Sequence, residues 1–373
     1  MKRNIKYITV SVLNIVVITA IIILSVTGNS MAVSQKYNYT ADIWKNNSPD
    51  SFAQTSVFLS EDSGFSTDSL NAVRAELVKE LQNISIETDG KNLPYAEAYS
   101  TPAGTFTIRG DLTGKTDAVL TAVGGDFFMF RNFRLVNGSF FGDGDLMHDG
   151  AVIDRNLAWE LYGSCDVAGM YLYIDGVKFY ISGVIENPES EPEKNCIGKL
   201  PRIYVSYDGM ADIIKLSGNT ENSTDISEKF SKITCYETVF PNPVENFAYN
   251  AVKKQFEEKY TDKYSIVKNS TRFKPSVRSK AFKKIADYAV IKNNINYPYW
   301  ENASRIVEFK LTFIYFSRTI LIIVPALTML WLVILAVRFV KRKKPVVMRN
   351  ISVFISRQRK NIKEKIFKKQ EKV

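Results

Sequence analysis

The sequence predicts an α+β domain, built as two subdomains and set between two transmembrane α-helices. Three observations predict it. Residues 8–26 and 319–337 are two 19-residue stretches without a charge. At 1.5 Å rise per residue each makes a rod of roughly 28 Å, about the thickness of a bilayer's hydrocarbon core. Between them about 280 residues mix strand runs, helical periodicity and turn signals, enough for one or two cores. The chain therefore divides into a cytoplasmic N-terminus (1–6), a first span (7–27) and an extracytoplasmic domain (28–296). A juxtamembrane segment (297–310), a second span (311–338) and a basic cytoplasmic tail (339–373) follow.

Orientation follows from the basic residues, which gather on the cytoplasmic side. Lys2, Arg3 and Lys6 precede the first stretch, and Arg338, Lys341, Arg342, Lys343 and Lys344 follow the second. Residues 338–373 hold 14 Lys and Arg against 2 Glu, while residues 27–310 carry a net charge of −6. A two-pass cell-membrane protein with both termini cytoplasmic is expected. The overall charge of +10 belongs to the tail and is no sign of a nucleic-acid partner. Ser30, Met31 and Ala32 could pass for a cleavage site, but the first stretch is longer than the apolar region of a signal peptide. An uncleaved anchor is expected.

Along the domain, residues 28–56 are polar and Asn-rich and read as an exit segment. From Ser66 and Thr67, apolar residues recur at Leu70, Val73, Leu77, Val78 and Leu81, one face of a helix. Residues 105–109 and 118–123 read as strands, and Asn137-Gly138 and Asp149-Gly150 as turns. Residues 151–153 make a short apolar strand, with Asp154 as N-cap of a helix that buries Leu157, Ala158 and Leu161 and stops at Gly163. Residues 171–174 and 177–185 flank Asp175-Gly176, the pair that favours a type I′ hairpin turn. A hydrophilic loop is expected over 186–199, a strand over 202–207, a polar excursion over 217–227 and a strand over 233–240. Asn242-Pro243 predicts the cap of a helix carrying Val244, Phe247, Ala248, Ala251, Val252 and Phe256. Helical pattern resumes over 277–293.

Tyr297, Tyr299 and Trp300 stand just before the second span, where an interfacial aromatic belt belongs. One helix is expected over 301–340. Arg318, near its outer end, either snorkels to headgroups or meets a partner helix, and Pro325 is expected to kink the helix. These five residues are the candidate membrane-interface and partner-contact positions. In the tail, Val347, Ile351, Phe354, Ile355, Ile362 and Ile366 share a helical face opposite Arg and Lys, as in a basic helix lying on a membrane or docking a cytoplasmic partner.

Little catalytic chemistry is visible. Gly110, Gly114, Lys115 and Thr116 imitate a phosphate-binding loop with three residues, not four, between the glycines. Asp143, Asp145 and Asp149 around His148 lack the closing bidentate Glu of a calcium loop. His148 is the single histidine, and no nucleophile motif accompanies it. Among Cys165, Cys196 and Cys235, one bridge between Cys196 and Cys235 and three free thiols both stay open. No catalytic residue, cofactor or metal is expected.

One stretch, residues 123–186, resembles a known family. It carries Gly-Asp-Phe-Phe (125–128), Asn-Gly-Ser-Phe-Phe (137–141), Ala-Val-Ile-Asp (151–154), Asn-Leu-Ala-Trp-Glu-Leu-Tyr-Gly (156–163), Gly169, and a hairpin closing on Phe-Tyr-Ile-Ser-Gly-Val-Ile (179–185). In order and spacing these resemble the periplasmic core domain of MacB-type ABC transporter permeases. Gly138, Gly163, Gly169, Gly176 and Gly183 match turn and cap positions, and Leu157 and Ala158 core positions. The resemblance implies no catalytic role for any of them. A full permease of that family has three further spans after the core domain, with a cytoplasmic loop that docks on the ATPase; only one further span is read here. The resemblance therefore implies a non-catalytic, hetero-oligomeric membrane subunit. Its partners would be a full-length MacB/FtsX-like permease and a separate ABC ATPase. A stand-alone extracellular binding or sensor protein is the alternative.

Overall fold

A computed structural model describes residues 2–45, 49–86, 93–112, 114–142, 144–217, 232–288 and 294–370. The chain splits into two units, residues 27–315 and residues 1–26 with 316–373. The larger unit is organised by a ten-stranded sheet. The first helix, α1 (Lys2–Val33), leads through a 3₁₀ turn (Lys36–Asn38) and α2 (Thr40–Lys45) into β1 (Phe52–Leu59), and α3 (Thr67–Asn83) follows. Next come β2 (Ala96–Gly110), β3 (Lys115–Gly125), α4 (Phe127–Arg131), β4 (Leu135–Gly138), β5 (Gly150–Asp154), α5 (Arg155–Tyr162), β6 (Tyr171–Ile174) and β7 (Val177–Ile185). The second half runs α6 (Glu191–Ile197), β8 (Arg202–Ser206), α7 (Tyr207–Ser217), β9 (Cys235–Pro241), α8 (Phe247–Glu257) and β10 (Tyr264–Lys268). It closes with α9 (Asn269–Arg272), α10 (Pro275–Ala281), a 3₁₀ turn (Phe282–Tyr288) and α11 (Tyr299–Gln370).

The sheet order is β10-β1-β9-β2-β3-β8-β5-β7-β4, and β6 bridges β2 and β7. That bridge closes β2, β3, β8, β5, β7 and β6 into a ring, filled by Ile108, Leu120, Ile153, Leu172, Phe179 and Ile203. The long β2 belongs to both halves of the sheet. Its first residues pair with β9, and after a bulge between Pro102 and Gly104 its last pair with β6. The strand β2 thus runs through both halves of one sheet.

Strand β1 corrects the reading of 28–56 as an exit segment. It lies inside the sheet, between β9 and β10. Because side chains alternate across a strand, Ala53, Val57 and Leu59 pack under α3 and α8, while Phe58 reaches the opposite face. Gln54 and Ser56, of the same parity as Phe58, are buried as well. Both faces are covered, so the polar residues that made the segment look solvated are interior. Three smaller corrections follow. The expected loop 186–199 contains α6, capped by Ser190. The helix expected at Asn242-Pro243 starts at Phe247, although the Asn242 side chain still accepts from the Ala248 amide at 3.1 Å. Asn137-Gly138 closes β4, with Gly138 at φ 75°, rather than standing as a free turn. The excursion after Ser217 and residues 289–293 lie outside the described residues.

Other elements follow the sequence. The α3 face buries Leu70, Val73, Leu77 and Leu81. Asp154 caps α5 by accepting from the Leu157 amide at 2.8 Å, and Gly163 ends it at φ 68°. Asp175 and Gly176 both take positive φ, 46° and 88°, which the type I′ turn requires.

The smaller unit holds the first part of α1, to Val26, and α11 from Phe316 onward. Two helical stretches, Ile8–Val33 and Tyr299–Lys341, are long and apolar enough to cross a membrane. Their partners run in opposite directions: Thr328 Oγ1 lies 2.9 Å from Asn14 Oδ1, and Arg318 donates to Ser25 Oγ at 3.4 Å. The helix is unbroken through Pro325 and on to Gln370. In the tail, Phe354 and Ile355 are exposed, whereas the side chains of Val347, Ile351, Ile362 and Ile366 lie outside the described residues.

Candidate functional site

The most unusual chemistry of the larger unit is a set of buried charges where α11 begins. Trp300, Ala303, Ser304, Val307, Glu308, Leu311 and Thr312 recur at helical spacing, and all are buried with Glu301. This inner face mixes an apolar row with a polar stripe of Glu301, Ser304, Glu308 and Thr312. A buried carboxylate is costly unless it is paired, and here arginines from α9 and α10 supply the partners. Arg272 Nη1 donates to Glu301 Oε2 at 2.7 Å and Nη2 to Glu301 Oε1 at 2.8 Å, a bidentate fork. The same Nη2 reaches Glu308 Oε2 at 2.9 Å, and Arg278 Nη1 meets Glu308 Oε1 at 2.9 Å. All four charges are at least nine-tenths buried. Burial alone would lower the pKa of Arg272. The two carboxylates beside it more than offset that and hold it well above the usual guanidinium range.

From this cluster hydrogen bonds run in two directions. Asn38, just past α1, accepts at Oδ1 from Arg272 and from Asn269, both at 2.9 Å, and donates to Ser304 Oγ at 2.9 Å. Tyr37 donates to the Trp300 carbonyl at 2.6 Å. Toward the sheet, Ser56 of β1 lies 3.0 Å from Asn269 Oδ1 and 2.8 Å from Glu237 Oε1 of β9. Glu237 pairs with Arg131 of α4, whose guanidinium lies over the Trp300 ring at 4.4 Å. The sheet, the segment just after α1 and the start of α11 thus share one polar network, called the clasp below. Gly28 permits the neighbouring helix contact, because a Cβ there would sit 2.8 Å from the Tyr315 ring.

Two cavities accompany the domain. One, of about 320 Å³, is lined by Lys36, Arg131, Arg134, Glu186, Glu193 and Trp300 beside the clasp. The other, of about 180 Å³, is lined by Tyr99, Asp145, His148, Ser206, Tyr207 and Asp208. There His148 adopts φ 54°, and its Nδ1 lies 3.6 Å from Asp208. No group of three metal-ligating side chains occurs among the described residues, and Asp143 lies outside them.

The structure places the expected interface residues differently from a lipid-facing belt. Tyr299 and Trp300 are 7% and 4% exposed, packed against Phe127 and Tyr204 in the core. Their rings are buried in protein, so position beside a span was not enough to make them lipid anchors. Tyr297 is half-buried, edge-on to Phe58 and under Arg305. Arg318 bonds to Ser25 of the chain's own first helix, and Pro325 lies inside α11. Cys165, Cys196 and Cys235 are free thiols, so the Cys196–Cys235 bridge is not formed. Buried on β9, Cys235 has its thiol pushed up to about 12 by desolvation. The clasp itself was missed. Its only sequence signal is the polar stripe at 301, 304, 308 and 312, which has the spacing of one helix face.

The family described as MacB-like periplasmic core domain matches residues 8–233. The macrolide export ATP-binding/permease protein MacB of Haemophilus ducreyi is 31% identical over 121 residues, covering 32% of this chain and 17% of that protein. The match thus spans about a sixth of that relative's length. Among solved structures, the periplasmic region of MacB from Actinobacillus actinomycetemcomitans is similar at 13% identity and a TM-score of 0.39, covering 62% of this chain and 95% of that one. The extracellular domain of the ABC-type transporter YknZ from Gram-positive bacteria is similar at 14% identity and a TM-score of 0.36, covering 57% and 99%. With the family matched over more than half of its length, this chain belongs to the MacB-like periplasmic core domain family of ABC transporter permeases.

Proposed function

We propose that this chain is a non-catalytic membrane subunit of a MacB-like ABC transport or mechanotransmission complex. Its folded domain lies outside the cytoplasm, with both termini inside, and pairs with the corresponding domain of a full permease. A separate subunit hydrolyses ATP. Family membership supports the role of transporter component, and the charge distribution around the two candidate spans supports the orientation.

The clasp is the observation that carries the reading. A ligand or partner that shifts β1 or β9 displaces the buried Ser56 and Glu237, and the hydrogen bonds of those residues lead to Arg272, Glu301 and Glu308. The last two sit on α11, which continues into a candidate span. Buried charge pairs resist separation because each partner alone would be an uncompensated charge. Such a joint suits transmission better than flexible tethering.

Affinity purification of the full chain in mild detergent tests the assembly. Recovery of an ABC ATPase together with a MacB/FtsX-like permease is expected. Recovery of the chain without either would overturn the proposal in favour of a stand-alone anchored binding or sensor protein.

A further inference from the structure

The segment after Arg272 is cationic and only partly buried. Residues 274–288 contain five Lys and Arg and one acid, Asp287. One of the five, Arg278, turns inward to Glu308. The other four, Lys274, Lys280, Lys283 and Lys284, are exposed and make no ion pair among the described residues. Apolar side chains hold the segment to α11: Phe282 is half-buried and lies edge-on to Phe313 at 5.7 Å, and Ile285 is half-buried.

On α11 itself, Ile306, Phe309 and Phe313 form an exposed strip at i, i+3 and i+7, with 37%, 41% and 43% of their surface open. The Phe309 and Phe313 rings touch at 5.1 Å, and Lys310 is exposed between them. A strip of three large apolar residues in water is unfavourable. It also lies close to the bilayer, since Phe313 is only about 9 Å of helix before the charge-free stretch that begins at Thr319.

We propose that Lys274–Tyr288, together with the Ile306–Phe313 strip, rests on the membrane surface and binds anionic phospholipid headgroups through Lys274, Lys280, Lys283 and Lys284. Lysine is depleted in protein–protein interfaces but suits the polar face of interfacial helices, whose apolar face enters the headgroup boundary. The inference rests on the candidate span and is independent of any transporter partner.

Hydrogen exchange on the full chain in nanodiscs tests it. Amides in 274–288 are expected to exchange at least about fivefold more slowly in discs of phosphatidylcholine with one-quarter phosphatidylglycerol than in phosphatidylcholine alone. High salt, which shortens the screening length to a few Å, is expected to erase that difference. The variant K274Q/K280Q/K283Q/K284Q is expected to lose it while the sheet's exchange stays unchanged. Equal exchange in the two discs overturns the proposal, as does a salt-insensitive difference. Equal slowing by inorganic phosphate in detergent would assign the site to free phosphate and overturn it too. Should the variant misfold, the salt dependence of the unmodified chain decides.

Discussion

Both carboxylate oxygens of Asp154 accept from backbone amides, Leu157 at 2.8 Å in α5 and Arg202 at 2.9 Å at the start of β8. Burial nevertheless dominates and raises its pKa to about 6 from 3.8. Between those values the folded chain keeps a proton that the unfolded chain has released, so stability falls as pH rises from about 4 to about 6 and is level above. The loss is on the order of 1–3 kcal/mol. Unfolding of the full chain in detergent, followed by urea at pH 4 to 7, is expected to show this fall, and Asp154→Asn to flatten it. An identical pH slope in the variant would rule the assignment out. The capping role of Asp154 was legible in sequence because a cap acts within three residues. Its second bond, to a residue 48 positions on, had no local signal. Tyr299 and Trp300 illustrate the converse, since aromatic residues beside a span have the same composition whether lipid or protein surrounds them.

At the scale of elements, local signals were read well where the partner is adjacent in sequence. The β6–β7 hairpin and the β5–α5 step are of this kind, each fixed by one turn or cap. β1 was not legible, because burial on both faces removes the apolar and polar alternation that marks a half-exposed strand. The clasp escaped for a related reason: Arg272 and Glu301 come from separate elements 29 positions apart. Its energetics give a sharp expectation. Arg272→Gln leaves Glu301 and Glu308 buried without their shared partner and should cost about 3–5 kcal/mol. The double variant Arg272→Met/Glu301→Gln keeps the Glu308–Arg278 pair, removes the stranded charge at 301 and should recover a large part of that loss. Thermal unfolding of the full chain in detergent measures both, and a single variant within 1 kcal/mol of the parent would contradict the pairing.

Across the whole molecule, the mixture of helix and sheet and the two candidate spans were visible in the sequence, because periodicity, length and hydrophobicity carry them. Strand order was not, since it depends on pairings between remote segments. β1 meets Cys235 and Lys268 through Phe58 and Thr55, residues written about 180 to 210 positions earlier. A chain cut after residue 231 therefore lacks both neighbours of β1. Limited proteolysis is expected to cleave it readily between residues 49 and 86, whereas a chain ending at residue 341 resists there. Equal resistance would show that β1 is secured by something else.

The position of β1 also sets a timetable for biogenesis. During synthesis this strand emerges soon after the first helix, yet both of its neighbours are translated only shortly before the second. Throughout that interval its backbone amides and carbonyls form an open edge, the feature that invites wrong strand pairing. The nascent domain therefore passes its most vulnerable period while tethered by one helix. It becomes protected only as residues 235–268 are delivered, so closure of the sheet around β1 waits on the segment ahead of the second helix.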